Sequence, residues 1–346
     1  LLTCKELGIN ARGFDILPFS VFLSNVKISE YDYNGLSKQL DILKKKEVDE
    51  CSYIMNLPDI PLVKKAFNPD IAKALIELKS KINSISDLQS RNFFNLGFLS
   101  ILEAVSNTSK AGGFLRIVNR DVSPVIIDEL FFDKVNTMLN DVIESKKPKH
   151  NRQVSVKAEI GDARRLPTQR SFNAIITSPP YPNRHDYTRV YSLEMIFDFI
   201  STNQELKKIR YDTIRSHVEA RKKYDAISYK KPAILNGLIE EITDNGANNP
   251  QIINMIEGYF EDMYLSLAEM FRSLKNKGKV GLVVSNVRFA GVNIPVDEIL
   301  SMIALQVGLT PKEIWVARYR GNSSQQMRKY KRKPSRESII VLEKDA

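Results

Sequence analysis

Residues Asn173 to Tyr181 read NAIITSPPY, and the fold is decided here. Ala174, Ile175 and Ile176 form a short apolar run rich in β-branched residues, which predicts a strand buried on both faces. The run stops at Ser178-Pro179-Pro180-Tyr181. Each proline lacks an N–H and restrains the residue before it, so neither strand nor helix continues. A stiff loop at the carboxyl end of a parallel strand lies where open α/β sheets bind ligands. Its outward carbonyls and the Tyr181 ring suit a flat group carrying an NH2.

The flanks extend the pattern. Gly161 to Pro167 reads GDARRLP before the strand, and Pro182 to Phe197 reads PNRHDYTRVYSLEMIF after the loop. Together with Ser-Pro-Pro-Tyr these segments resemble the amino-directed DNA methyltransferases, which methylate exocyclic amines with S-adenosylmethionine. The resemblance implies an α/β fold: a Rossmann-like, mostly parallel sheet with an antiparallel strand near the C-terminus and helical insertions. It also implies that Ser178, Pro179, Pro180 and Tyr181 form the catalytic loop, with Tyr181 stacking on a flipped base. Serine in the first position of the tetrapeptide resembles the cytosine-N4 enzymes, whereas aspartate or asparagine is typical for adenine N6.

With 346 residues, 43% of them hydrophobic, the chain can bury a large core. No run approaches the roughly 18 apolar residues of a membrane span, and a reducing cytoplasm is expected. Cys4 and Cys51 exclude a disulfide framework. His150, His185 and His217 are too scattered for a metal cluster, so none is expected. The net charge of +10 suggests a polyanionic partner, expected to be double-stranded DNA.

At the start, LLTCKELGIN reads as the last turns of a helix closed by Gly8. The family's glycine-rich cofactor loop does not occur in the sequence, so the expectation is that an upstream segment or a second chain supplies it. Ala11 to Pro18 predicts a strand ending in Asp15. Taken alone, Asp15 reads as a helix N-cap. Beside the Ser-Pro-Pro-Tyr loop it reads as the acceptor for ribose hydroxyls, with Ile16 packing on adenine. Gly161-Asp162-Ala163 is a common turn, but in similar methyltransferases such an aspartate accepts from the cofactor's adenine amine. Asp162 and Ala163 are therefore expected to face the cofactor.

The spacing of apolar residues predicts helices over 38–48, 69–83, 90–106, 130–146, 187–199, 252–274 and 296–307. Most of Ser90 to Ser106 is expected to be core. KAGGFLRIVNR (110–120) reads as a helix–helix turn more readily than as a phosphate loop, and Gly278 reads as a helix C-cap. Strands are expected over 153–160, 280–284, 313–319 and 338–343, with Trp315 in the core or covering the sheet and SNVRFAGVNIP (285–295) as an outgoing loop. Domain organisation follows: residues 1–28, 151–200 and 251–346 form the catalytic domain, 29–150 a helical insertion, and 201–250 a helical, basic insertion suited to target recognition.

Several cations are placed to meet phosphate. Arg184, His185 and Arg189 follow the catalytic loop closely. Arg320, Arg328, Lys329, Lys331, Arg332 and Lys333 lie in a basic segment that joins two strands and must project. In Glu205 to Lys231, cations alternate with tyrosines, which suits either a DNA-facing helix or a solvated face.

Two mechanisms are excluded. Cytosine C5 methylation needs a cysteine nucleophile, typically after proline, but Cys4 follows Thr3 and Cys51 follows Glu50. Zinc deamination needs histidine and paired cysteine ligands, which are absent. The expectation is a site-specific cytosine-N4 methyltransferase from a restriction–modification system, with a restriction endonuclease as its genetic partner. The alternatives are an adenine-N6 enzyme, a catalytically incomplete nucleic-acid-binding module of the same fold, and a methyltransferase acting on RNA.

Overall fold

The computed structural model describes residues 1–47, 60–145, 153–246, 249, 251–321 and 333–345. The chain forms two compact units, Leu1–Ile160 with Tyr187–Ile209, and Gly161–Asp186 with Arg210–Ala346. Among the described residues no helix is long and apolar enough to cross a membrane.

The first unit opens with α1 (Leu2–Glu6), which Gly8 closes at φ +69° as the sequence implies, and runs into β1 (Ala11–Asp15). Pro18 starts α2 (Pro18–Ile28), where a proline costs no helical hydrogen bond. Among the described residues four helices follow: α3 (Tyr33–Lys45), α4 (Pro61–Ala66), α5 (Pro69–Asn83) and α6 (Leu88–Ile101). Lys110 to Arg120 is not a helix–helix turn. It makes the hairpin β2 (Thr108–Ala111) and β3 (Phe114–Ile117), turning at Gly112 with φ +63°. Two glycines between strand-forming residues favour that turn because the left-handed region costs glycine no clash. Then α7 (Ile126–Ser145) leads to β4 (Val156–Ile160), which pairs in parallel with β1.

Phe93, Phe94, Phe98 and Leu99 of α6 are buried with Phe131 of α7 and Leu75 of α5, as expected for core. Asn25 of α2 both donates to the Ala158 carbonyl and accepts from its N–H, satisfying backbone groups of β4.

In the second unit, β5 (Phe172–Thr177) ends one residue before Ser178. The chain then contributes α8 (Tyr187–Val190) and α9 (Ser192–Asp198) to the first unit, so the single helix expected over 187–199 is broken at Tyr191. Buried Lys79 donates to Asn95 and Asp198, tying α9 into its core. Helix α10 (Asn203–Asp212) stops early, and 213–232 is non-helical, so no DNA-facing helix spans the basic stretch.

The remaining elements among the described residues are α11 (Ala233–Asp244), α12 (Gln251–Ser273), β6 (Leu274–Ser285), β7 (Val287–Phe289), β8 (Val292–Ile294), α13 (Val296–Gln306), β9 (Leu309–Arg320) and β10 (Ser335–Lys344). The four-stranded sheet has the order β5-β6-β10-β9. β5 and β6 are parallel, and β10 runs antiparallel to both neighbours, so β9 runs the same way as β5 and β6. This is the mixed, Rossmann-like α/β arrangement with its antiparallel strand at the C-terminal end. Helix α12 is the crossover from β5 to β6, and α13 that from β6 towards β9. Val280, Leu282, Val284, Ile340 and Leu342 are buried in a core shared with these helices.

Four local expectations are corrected. Ile176 is 84% exposed, because β5 is an edge strand whose packed side is the other one. Trp315 is 55% exposed on β9, the opposite edge, and is not core. Gly278 lies within β6 after the helix has ended. The left-handed residue there is Lys277, at φ +61°, where the β5–β6 register shifts. Residues 285–295 are not a plain loop but the β7–β8 hairpin, turning at Ala290 and Gly291 with φ +48° and +85°.

Candidate active site

The carboxyl ends of β5, β6 and β9 and the amino end of β10 meet at one side of the second unit's sheet. That topology brings Ser178 and Tyr181 from the β5 loop to Glu337 on β10 and to Arg318 and Arg320 on β9. The Tyr181 hydroxyl donates to Glu337 Oε1 at 3.0 Å, and Ser178 Oγ lies 3.4 Å from Tyr181 Oη. Arg320 Nη1 donates to the same Glu337 oxygen at 3.0 Å, and Arg318 Nε donates to the other. A β-bulge sits at this point, since Glu337 pairs with Arg318 but Ser338 with Val316, leaving Ala317 over. Bulges re-aim side chains, and here Glu337 and Ser338 are both buried although consecutive.

Charge and hydrogen bonding fix the protons. Arg318 holds the Glu337 carboxyl below its ordinary range, against the effect of burial, with Tyr181 and Arg320 adding to the lowering. Burial pushes the Tyr181 phenol up. Tyr181 therefore keeps its single proton and gives it to Glu337. The Ser178 hydroxyl is then the donor to Tyr181 Oη, and the lone pairs of Ser178 Oγ are left to accept. Ser178 is exposed, while Pro179 is buried and holds the loop.

The expected cofactor residues fall in both units. Asp15 ends β1 in the first unit and accepts from the Leu17 N–H at 2.8 Å. Helix α2 starts after Leu17 with no side-chain cap, so Asp15 is a turn acceptor rather than its N-cap. Crowding protein raises its pKa, and the hydrogen bonds from Leu17 and Ser20 oppose this. Asp15 is exposed and Ile16 half-buried at the strand's carboxyl end. A solvent-facing carboxylate beside an apolar side chain fits a ribose and its base.

Asp162 is already engaged in the second unit. Oδ1 accepts from the Arg164 N–H and Nε, each at 2.9 Å. Oδ2 accepts from Arg164 Nη2 at 2.8 Å and from Tyr224 Oη at 3.0 Å. Burial raises the Asp162 pKa, but Arg164 outweighs it and the net shift is downward. Four bonds fill a carboxylate's acceptor sites, so an adenine amine fits at Asp162 only after one partner leaves. Ala163 sits in the same turn, half-buried. Arg164 also reaches buried Asp262 at 3.0 Å, and Asp262 accepts from Arg215 N–H at 2.9 Å and Nη2 at 2.7 Å.

Among the expected DNA contacts, Arg184 is exposed in a left-handed conformation at φ +70°, with its N–H donating to the Ser216 carbonyl at 3.0 Å. His185 beside it is half-buried, and burial lowers its pKa. Arg189 is exposed on α8, in the other unit. Arg320 is tied to Glu337, and Lys333 is exposed. Arg328, Lys329, Lys331 and Arg332 lie outside the described residues. Glu337, Arg318, Tyr224, Arg215 and Asp262 escape a reading of the sequence. Their partners are distant in the chain, and only the alternation of Arg318 and Arg320 on one face of β9 hints at a role.

No family model matches the chain. Among curated proteins, the Type II methyltransferase M.BsoBI of Geobacillus stearothermophilus is 29% identical, over 99% of this chain and 77% of its own length. The Type II methyltransferase M.AvaI of Nostoc sp. is also 29% identical, over 99% and 78%. Among solved structures, a Thermus thermophilus chain described as a candidate DNA modification methylase aligns at a TM-score of 0.28. It is 15% identical over 54% of this chain and 52% of its own, too loose a match to carry an argument.

Proposed function

We propose that this chain, a member of the Type II DNA methyltransferase family, methylates the N4 amine of a cytosine flipped out of duplex DNA, as the modification enzyme of a restriction–modification system. The observation that carries this reading is the chain of contacts from Ser178 Oγ to Tyr181 Oη at 3.4 Å and from Tyr181 Oη to Glu337 Oε1 at 3.0 Å, which argues for Ser178 as the donor to Tyr181. It leaves Ser178 Oγ an acceptor at the mouth of the loop.

An exocyclic amine is a poor nucleophile because its lone pair is delocalised into the ring. Accepting both of its N–H groups favours a pyramidal nitrogen with the lone pair free. Ser178 Oγ takes one N–H and a carbonyl of the Ser178–Pro179 segment takes the other. Pro179 and Pro180 hold both in place before the base arrives, the preorganisation that usually dominates such sites. Tyr181 packs on the base, which costs a few kcal/mol to flip. Arg184, His185, Arg189, Arg320 and the basic segment ending in Lys333 contact phosphates and offset that cost.

When bound, S-adenosylmethionine supplies an electrophilic methyl group. By the resemblance, Asp15 and Ile16 of the first unit would hold its ribose and adenine. In the second unit, Asp162 and Ala163 would accept the adenine amine only with the Tyr224 hydrogen bond released. Serine at position 178 favours cytosine N4 over adenine N6, by the resemblance already drawn.

Product analysis tests this reading. DNA incubated with the protein and S-adenosylmethionine, then digested to nucleosides, should contain N4-methylcytosine. N6-methyladenine would refute the cytosine assignment while keeping the loop's role. Duplex binding should also weaken steeply as salt rises.

A further inference from the structure

The second unit contains a cavity of about 470 Å³ with no place in the mechanism above. One wall is the start of α12, where Gln251, Asn254 and Gly258 share a face at spacings of three and four residues. The other wall is the non-helical chain after α10, which contributes Arg215, Tyr229 and, at the rim, exposed Arg221 and Lys223.

Two polar groups of this lining lack partners among the described residues. Arg215, only 5% exposed, spends Nη2 on Glu261 and Asp262, but its Nε is buried with no acceptor. Tyr229 Oη is buried and likewise without one. Arg215 lies directly on Gly258, where a Cβ would come within 2.9 Å of Nε. Burial and the carboxylates of Glu261 and Glu257 push the Tyr229 phenol up, keeping it a donor. Buried donors are ordinarily satisfied, but these two atoms lie behind the cavity wall, with no surface open to it.

The lining open to the cavity selects a ligand by its own chemistry. It carries three cations, Arg215, Arg221 and Lys223, against two carboxylates, Glu257 and Glu261, so the two cations at the rim leave a positive excess. Gln251 and Asn254 carry side-chain amides, which pair bidentately with base edges. Val218, Met255 and the Tyr229 ring offer apolar surface to a flat group. The cavity also lies at the catalytic end of the sheet, because α12 begins where β5 delivers Ser178.

We infer that this cavity binds one nucleotide of the DNA strand other than the methylated base, its edge read by Gln251 and Asn254 and its phosphate held by Arg221 and Lys223. The DNA source rests on the methyltransferase reading. The nucleotide chemistry rests on the lining alone.

Calorimetric titration of the whole chain with each of the four 2′-deoxynucleoside 5′-monophosphates, and with inorganic phosphate, tests it. At least one monophosphate should bind about tenfold tighter than phosphate. Asn254→Ala should erase the differences among the four, and Arg221→Ala should weaken all of them alike. Both side chains are exposed, so neither variant threatens the fold. Phosphate binding as tightly as any nucleotide, no saturable binding at all, or an Asn254→Ala variant that discriminates like the parent would each overturn the inference. Methyl transfer is assayed separately. A chain that methylates DNA but binds no monophosphate refutes the cavity alone. One that binds a monophosphate but never methylates supports the cavity and refutes the methyltransferase reading.

Discussion

The Tyr181 hydroxyl donates to Glu337 Oε1 at 3.0 Å, across 156 positions of sequence. This bond orders the polar atoms of the Ser178–Tyr181 loop. Arg318 and Arg320 keep Glu337 ionised, Glu337 takes the tyrosine proton, and Ser178 must donate inward and accept outward.

Tyr181→Phe keeps the ring and removes the relay. Ser178 is then free to rotate and loses its enforced role as acceptor. The expected result is a fall in kcat of about tenfold, or ~1.4 kcal/mol of transition-state stabilisation, with KM for DNA nearly unchanged. Steady-state kinetics decide it, and a change confined to KM would contradict the relay.

Tyr224→Phe should act in the opposite direction. It keeps the ring that stacks on the Arg165 guanidinium at 4.2 Å but frees one acceptor site on Asp162. If Asp162 takes the cofactor's amine, S-adenosylmethionine should bind several-fold tighter, roughly one hydrogen bond's net contribution. Equilibrium dialysis of parent and variant would show it. Unchanged or weaker binding would place the cofactor's adenine elsewhere.

Asp262 serves both Arg164 and Arg215 from a fully buried position. Asp262→Ala removes the fully buried carboxylate shared by two buried guanidiniums, leaving Arg164 with Asp162 and Arg215 with Glu261, so it should cost about 3 kcal/mol. Urea unfolding of the two proteins measures this directly. A loss below about 1 kcal/mol would mean that water replaces the carboxylate.

Glu337 also predicts an acid sensitivity. Its folded pKa is lowered, chiefly by Arg318. The stability it contributes is therefore present above the unfolded value and lost as pH falls through the folded one. Lowering the pH below the ordinary carboxylate range should destabilise the parent protein more than Glu337→Gln, which has no such proton to take up. Parallel losses in both proteins across that range would contradict the pairing.

Much of the scaffold is legible because it is local. Pro69 to Asn83 announces its helix with a leading proline and a regular apolar stripe, and α5 has those bounds. The Ser178-Pro179-Pro180-Tyr181 loop is marked by its prolines alone. What escapes depends on distant neighbours. Ile176 and Trp315 look like core residues, and only their place on the sheet's two edges exposes them. Glu337 looks like an ordinary charge in SRESIIV until the bulge opposite Ala317 turns it beneath the loop. The two hairpins are missed because strands of three or four residues have too little periodicity to detect.

The most direct test is transfer of labelled methyl from S-adenosylmethionine to duplex DNA, run on the parent and on Tyr181→Ala, with salt-dependent DNA retention measured on both. The parent should label DNA, while the variant should lose nearly all transfer and keep its DNA binding. Absence of transfer by the parent, or a Tyr181→Ala protein as active as the parent, would contradict the assignment of the catalytic loop.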